Sequence, residues 1–162
     1  MVTSVMLIGV LADTHVPRRA RDLPPLAYQY LQGVDAILHA GDVLTADLLD
    51  RLACIAPVHA VLGNNDRSLA LPERLELCWE GVRLAMVHDS GAREGRAKRL
   101  RRWFPEAQVV VFGHSHIPVN ECHDGLLLFN PGSPTDRRRQ PEHTMGLLRL
   151  DAGTVDARIL AV

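Results

Sequence analysis

Five short stretches of the chain carry side chains able to hold a metal ion: Asp13-Thr14-His15, Gly41-Asp42, Gly63-Asn64-Asn65-Asp66, His88-Asp89 and Gly113-His114-Ser115-His116. Aspartate, asparagine and histidine offer oxygen and imidazole donors without thiolate. That set suits Mn²⁺, Fe²⁺, Zn²⁺, Co²⁺ or Ni²⁺ better than Mg²⁺ or Ca²⁺. Asp13, His15, Asp42, Asn64, His88, His114 and His116 are too many for one tetrahedral ion, and they suffice for two ions that share a carboxylate. In extended chain, residues i and i+2 point the same way, so Asp13 with His15, and His114 with His116, can each aim two ligands into one cavity. Gly41, Gly63 and Gly113 come just before ligands, where a sharp turn or close backbone approach is wanted. Any one of these residues alone reads as a satisfied core polar group; the set together reads as a metal site.

For the stretches to meet, each must end a strand at one edge of a sheet, where ligands bind in open α/β folds. The pattern allows this. Val5–Ala12 is a continuous apolar run, as expected of a strand buried on both faces. Residues 21–32 suggest a short helix with Pro24 and Pro25 near its first turn. Ala36–Ala40 is the next strand. Thr45 is placed to N-cap a helix through Cys54, with Asp47 adding negative charge to its first turn. Val58–Leu62 is a third strand. This βαβαβ rhythm implies a parallel sheet with right-handed crossovers.

Beyond it, Leu75–Trp79 and Val82–Val87 flank Glu80-Gly81, a two-residue hairpin signal. Residues 92–104 suggest a basic helix closed by Pro105. The strand Gln108–Phe112 follows. Then come Ile117–Cys122 and Leu126–Phe129 around Asp124-Gly125, and Thr144–Leu150 and Val155–Leu160 around Ala152-Gly153. The expectation is one α/β domain over residues 1–162, with two packed sheets and helices outside.

Composition bounds the function. The chain has 162 residues, one ordinary domain able to bury roughly 68–70% of its unfolded surface. Lys+Arg is 18 against Asp+Glu 19, a net charge of −1, which argues against a protein held to nucleic acid by bulk positive charge. Aromatics at 4% argue against a base-stacking platform. No apolar run approaches the roughly 18 residues needed to cross a bilayer. Met1-Val2-Thr3-Ser4 has no basic segment before its apolar stretch and reads as leading into a first strand, not as a signal peptide. The isolated cysteines Cys54, Cys78 and Cys122 fit a reducing cytoplasm, with Cys54 and Cys78 expected as buried thiols.

Asp13-x-His15, Gly41-Asp42, Gly63-Asn64-x-Asp66, His88 and Gly113-His114-x-His116 resemble, in order, the five signature blocks of the calcineurin-like metallophosphoesterases. Asn130-Pro131-Gly132-Ser133 and the short length resemble the small bacterial and archaeal phosphodiesterase branch. The resemblance implies a four-layer α/β/β/α sandwich of two mixed sheets flanked by helices. It implies one ion held by Asp13, His15, Asp42 and His116, and another by Asp42, Asn64, His88 and His114, with Asp42 bridging. Manganese is the first choice of metal, and Ni²⁺, Fe²⁺, Zn²⁺ and Co²⁺ are alternatives. The implied reaction is hydrolysis of a small phosphodiester by a hydroxide bridging the two metals, with Asp42, Asn64, His88 and His114 at the reacting centre. Alternatives are a phosphomonoesterase or nuclease on the same site, or a metal-binding interaction scaffold without catalysis. No membrane partner is expected. Exposed hairpin edges in the second half leave a homodimer open.

The chain also departs from that pattern. Many relatives carry histidine after the Gly-Asn pair, where it can protonate the leaving group; here Asn65 stands there, and an amide is no general acid. Asp66 matches the pattern and is assigned to orienting its loop. Asp89 replaces a common glycine, either hydrogen-bonding a metal ligand or placing a negative charge near substrate, or simply forming the turn before Ser90-Gly91. Arg93, Arg96 and Arg99 would share a helix face that is either solvated or steers phosphates. Arg137-Arg138-Arg139 lies in a loop that either clamps a phosphate across the site mouth or is plain surface. His39 and His59 are read as core or surface histidines, His123 and His143 as solvated.

Overall fold

The computed structural model describes residues 4–162. Met1, Val2 and Thr3, read as leading into the first strand, lie outside the described residues. The chain runs β1 (Val5–Leu11), α1 (Pro25–Leu31), β2 (Ala36–His39), α2 (Ala46–Ala53), β3 (Val58–Ala60), β4 (Arg74–Trp79), β5 (Val82–Val87), α3 (Arg96–Trp103), β6 (Val109–Val111), β7 (Val119–His123), β8 (Leu126–Asn130), β9 (Thr144–Asp151) and β10 (Thr154–Ala161).

The strands form two five-stranded sheets, β10-β9-β1-β2-β3 and β4-β5-β6-β8-β7. In the first, β1, β2 and β3 are parallel, with Ile8 opposite Ala36 and Ile37 opposite Val58. The C-terminal hairpin returns to this sheet, β9 lying antiparallel to β1. In the second, β5, β6 and β8 are parallel, and β4 and β7 lie antiparallel on the edges. Ile8, Val10, Leu38, Met86, Val111, Phe129 and Leu148 fill the space between the sheets. Ala27 and Leu31 of α1 and Leu48 and Leu52 of α2 cover the outer face of the first sheet. Leu100 of α3 packs with Phe104, Phe112 and Leu128 on the outer face of the second. The result is the expected α/β/β/α sandwich. Each large apolar side chain so buried stabilises it by roughly 1.5–3 kcal/mol.

Local chemistry explains the elements. Glu80-Gly81, Asp124-Gly125 and Ala152-Gly153 all have positive φ at both residues, the two-residue turn whose twist matches the flanking strands. Pro25 opens α1, where a missing N–H costs nothing. Asp47 lies in the first turn of α2 and pairs with Arg51 at 3.2 Å. Thr45 occupies the N-cap, yet its hydroxyl makes no capping bond.

Two further expectations fail. The basic helix starts only at Arg96, because Gly95 adopts left-handed φ (71°) and breaks the helical run. Arg93 therefore does not share a helix face with Arg96 and Arg99. Arg99 is committed to the carbonyls of Ser90 and Ala92, and Arg96 stacks over Phe112. The cysteines are exposed, not buried. Cys78 falls on the outward side of β4, where Leu75, Leu77 and Trp79 take the inward alternation. Cys54 lies just past the last buried residue of α2, Leu52. Among the described residues no helix is long and apolar enough to cross a membrane.

Candidate metal centre

The loops after β1, β2, β3, β5 and β6 meet at one edge of the sandwich, the C-terminal ends of the parallel strands of both sheets. Outside the three hairpin turns, the non-glycine residues with left-handed φ are Asp13 (54°), His15 (45°), Asp42 (59°), Leu44 (82°), His114 (71°), His116 (63°) and Arg138 (50°). Extended pleating is therefore not what aims Asp13 with His15, or His114 with His116. Left-handed residues curl each loop around the cavity, at a cost of order 1–3 kcal/mol each. Gly41 (φ 97°) lets the β2 loop pass beside His88; a Cβ there would lie 2.6 Å from His88 Nδ1.

Ligand atoms of Asp13, His15 and His116 lie within 4.8 Å of one another, as do those of Asp13, Asp42 and His88. Asp13 Oδ1 is 3.6 Å from His116 Nε2 and 3.9 Å from His88 Nε2. Asp42 Oδ2 is 3.5 Å from both His15 Nε2 and His88 Nε2. Both carboxylates thus stand between the two halves of the centre. Asn64 Oδ1 lies 2.9 Å from His88 Nε2 and 3.2 Å from His114 Nδ1, which places the last two residues of the set on the His88 side. All seven residues meet at one place. The Asp13, His15 and His116 half is buried, whereas Asn64 and His114 are exposed at the mouth.

The donor atoms fit a cation. Asp13 Oδ1, His15 Nε2 and His116 Nε2 are buried and have no hydrogen-bond partner. An orphaned buried polar atom costs about 1–3 kcal/mol, and three of them side by side, all of ligand type, are what a metal ion would satisfy. Burial pushes the Asp13 carboxyl up to about 7, against the pull of His88 and with the help of Asp42. Burial pushes Asp42 up too, but hydrogen bonds from His88 and Asn65 outweigh it and hold Asp42 well below the usual carboxylate range. Burial lowers His15 and His116, favouring the neutral imidazole that binds metals. His88 is pulled down by burial, yet Asp42 and Asp13 raise it overall.

A layer of hydrogen bonds aims these groups. His88 Nδ1–H donates to the Ala40 carbonyl (2.7 Å) and His116 Nδ1–H to the Asp136 carbonyl (2.6 Å), which turns each Nε2 to the cavity. Asp66 accepts the backbone N–H groups of Asp42, Gly63 and Leu44, each at 2.8 Å, so it holds the loop. Fully buried His39 joins two ligand loops through Thr14 and the Gly41 N–H. Ser133 Oγ donates to the Asp13 carbonyl (2.8 Å) and Thr135 Oγ1 to the Thr14 carbonyl (2.6 Å). Thr14, Thr135 and Asp136 were not singled out in the sequence. Thr135 lies 121 residues from the carbonyl it serves, and only the Ser-x-Thr-Asp run after Pro131-Gly132 hints at a loop-binding role.

The other candidates fall into place. Asp89 Oδ1 accepts the Gly91 N–H (2.8 Å), a turn former, while its Oδ2 lies 4.0 Å from His114 Nε2. His59 packs edge-on against Trp79, and His123 is exposed beside Glu121. His143, expected to be solvated, is instead half-buried.

A family model described as the calcineurin-like phosphoesterase superfamily domain matches residues 6–153. A probable metallophosphoesterase of Methanothermobacter thermautotrophicus is 37% identical over 159 residues, covering 96% of this chain and 92% of that one. Among solved structures, vacuolar protein sorting 29 of Cryptosporidium parvum superposes with a TM-score of 0.84 at 18% identity, over 98% of each chain. An archaeal phosphodiesterase superposes with a TM-score of 0.74 at 21% identity, over 97% of this chain and 100% of that one. At these identities the two structures establish a shared fold.

Proposed function

Because the chain belongs to the calcineurin-like phosphoesterase superfamily, we propose that it is a metal-dependent phosphodiesterase acting at the centre just described. The observation that carries this reading is the trio of buried, unpartnered ligand atoms on Asp13, His15 and His116, beside Asp42 and His88. Two divalent transition-metal ions are proposed, manganese before Ni²⁺, Fe²⁺, Zn²⁺ or Co²⁺. Asp13, His15, Asp42 and His116 would hold one, and Asp42, Asn64, His88 and His114 the other. Such a pair lowers the pKa of bound water and neutralises charge gathering on phosphoryl oxygens.

The residues of the chain do the rest. Ala40 and Asp136 carbonyls fix the His88 and His116 rings, and Asn65 and Asp66 fix Asp42 and its loop. The exposed Asn64 and His114 leave the mouth open on their side, where a phosphoester can enter. An archaeal phosphodiesterase is built on this fold, which makes small diesters the first substrates to try. We further assign residues 1–162 to a single domain and the protein to the cytoplasm. A homodimer through a sheet edge is compatible with this reading.

The test is metal content after purification, followed by turnover of bis(p-nitrophenyl) phosphate and p-nitrophenyl phosphate with Mn²⁺, Ni²⁺, Zn²⁺ or Mg²⁺. Diester turnover with Mn²⁺, abolished by Asp42→Ala, supports the proposal. Preference for the monoester makes it a monoesterase. Steeply salt-dependent cleavage of oligonucleotides makes it a nuclease. Bound metal without turnover of any ester makes the centre part of a scaffold.

A further inference from the structure

We infer that Arg138 is the residue that grips the non-bridging oxygens of the substrate phosphate at the mouth of the centre. This rests on the phosphoester reading above and names the group that recognises the anion.

The loop carrying Arg138 is tied to the metal-binding loops at several points. Ser133 Oγ holds the Asp13 carbonyl, Thr135 Oγ1 holds the Thr14 carbonyl, and the Asp136 carbonyl accepts from His116 Nδ1. The Asp136 N–H donates back to Ser133 Oγ at 2.9 Å. Arg138 follows two residues later, on a rigid footing beside the Asp13, His15 and His116 half. It shares their backbone signature: among the described residues outside the hairpin turns and the metal-centre loops, Arg138 is the non-glycine residue held at left-handed φ (50°).

Two of the nearby arginines are already occupied, and Arg139, among the described residues as unpartnered as Arg138, lies one residue farther from the tie at Asp136. Arg137 donates to the Gln140 carbonyl at 2.6 Å, and Arg19 faces the Asp136 carboxylate at 3.6 Å. Among the described residues Arg138 makes neither a hydrogen bond nor an ion pair, and it is exposed.

A guanidinium carried on a loop beside a cation site opposes cation binding. It gains nothing from the metals and has no carboxylate of its own. Its charge is balanced only when an anion comes to the mouth. A phosphodiester spreads one negative charge over two non-bridging oxygens, and the planar fork of a guanidinium presents two parallel N–H groups to such a pair.

The experiment compares wild type, Arg138→Ala, Arg138→Lys, Arg138→Gly and Arg139→Ala, all loaded with Mn²⁺. Inorganic phosphate binding is followed by calorimetry without any ester present, and bis(p-nitrophenyl) phosphate hydrolysis is followed in parallel. Arg138→Ala is expected to weaken phosphate binding and raise KM by roughly 10- to 100-fold, the loss of hydrogen bonds to a charged group. Metal content stays at the wild-type level. Arg138→Lys recovers part of the affinity, and Arg139→Ala leaves it unchanged. Arg138→Gly relieves the left-handed strain, so it loses phosphate affinity without losing melting temperature. Wild-type phosphate affinity in both Arg138→Ala and Arg138→Gly overturns the inference. So does phosphate affinity lost only together with bound metal. A wild-type protein that hydrolyses no ester refutes the proposed function and leaves the calorimetric result to decide the role of Arg138.

Discussion

Asn65 donates twice to Asp42, its backbone N–H to Oδ1 and its side-chain amide to Oδ2, each at 2.9 Å. Oδ2 is the atom that lies 3.5 Å from both His15 and His88, so the Asn65 amide fixes the rotation of the carboxylate shared between the two halves. Asn65→Ala keeps the backbone bond and frees Oδ2. The expected outcome is metal retention weakened roughly 10–100-fold, measured by competition with a chelator. The melting temperature of the metal-free protein should hardly move, because Asn65 is exposed. Wild-type metal retention would show that the amide does not orient Asp42.

The same amide cannot protonate a departing alcohol. Turnover of a series of diesters should therefore fall steeply as the pKa of the leaving alcohol rises, with aryl esters cleaved fastest. A plot of log kcat/KM against leaving-group pKa checks this. A flat plot would mean that another group supplies the proton.

The ligand residues were readable because their chemistry is carried by residue type and by order along the chain: Asp13-x-His15 and His114-x-His116 remain suggestive whatever their backbone does. The layers were readable because apolar runs such as Val109–Val111 and the turns Glu80-Gly81 and Asp124-Gly125 are local signals. The conformation of the ligands was not. Left-handed φ at Asp13, His15, His114 and His116 is imposed by bonds between distant loops, such as Asp13 N–H to the Gly41 carbonyl and His114 N–H to Asp13 Oδ2. The same holds for Asp136, whose contribution is a backbone carbonyl, which no residue type announces. Gly95 delayed the start of the helix to Arg96 because one left-handed residue outweighed a favourable run of arginines.

Gly63 lies so close to Asp42 that a Cβ would overlap both the Asp42 amide nitrogen and Oδ1. Neither side can yield, because Asp66 Oδ2 binds the backbone N–H of both residues at 2.8 Å. Gly63→Ala should destabilise the metal-free protein by about 1–3 kcal/mol, the usual cost of forcing an atom into packed structure, and should release metal. Gly33→Ala, in open space at φ 79°, isolates the cost of left-handed backbone alone and should leave metal content intact. Urea unfolding and metal analysis measure both. Equal effects of the two variants would contradict the close approach at Gly63.

His39 is fully buried. Its Nδ1 accepts the Gly41 N–H at 3.1 Å, so Nε2 carries the proton and donates to Thr14 Oγ1 at 2.9 Å. Burial foremost, then the neighbouring charge of His88, lowers its pKa from 6.5 to about 3, with Asp42 opposing and His15 adding. Between those values the unfolded chain binds a proton that the folded chain refuses. The stability contributed by neutral His39 is therefore present in full above pH 6.5 and drains as pH falls toward 3, by up to about 1.4 kcal/mol per pH unit. Asp13, raised to about 7, acts in the opposite sense, stabilising the metal-free fold at low pH and losing that contribution as pH rises. Asp13 is common to wild type and to His39→Gln, so it cancels in their difference. The stability gap between these two metal-free proteins, measured by urea unfolding from about pH 7 down to about pH 4, should shift in favour of His39→Gln as the pH falls. Parallel curves would mean that His39 takes up its proton inside the fold, which its bond from the Gly41 N–H forbids.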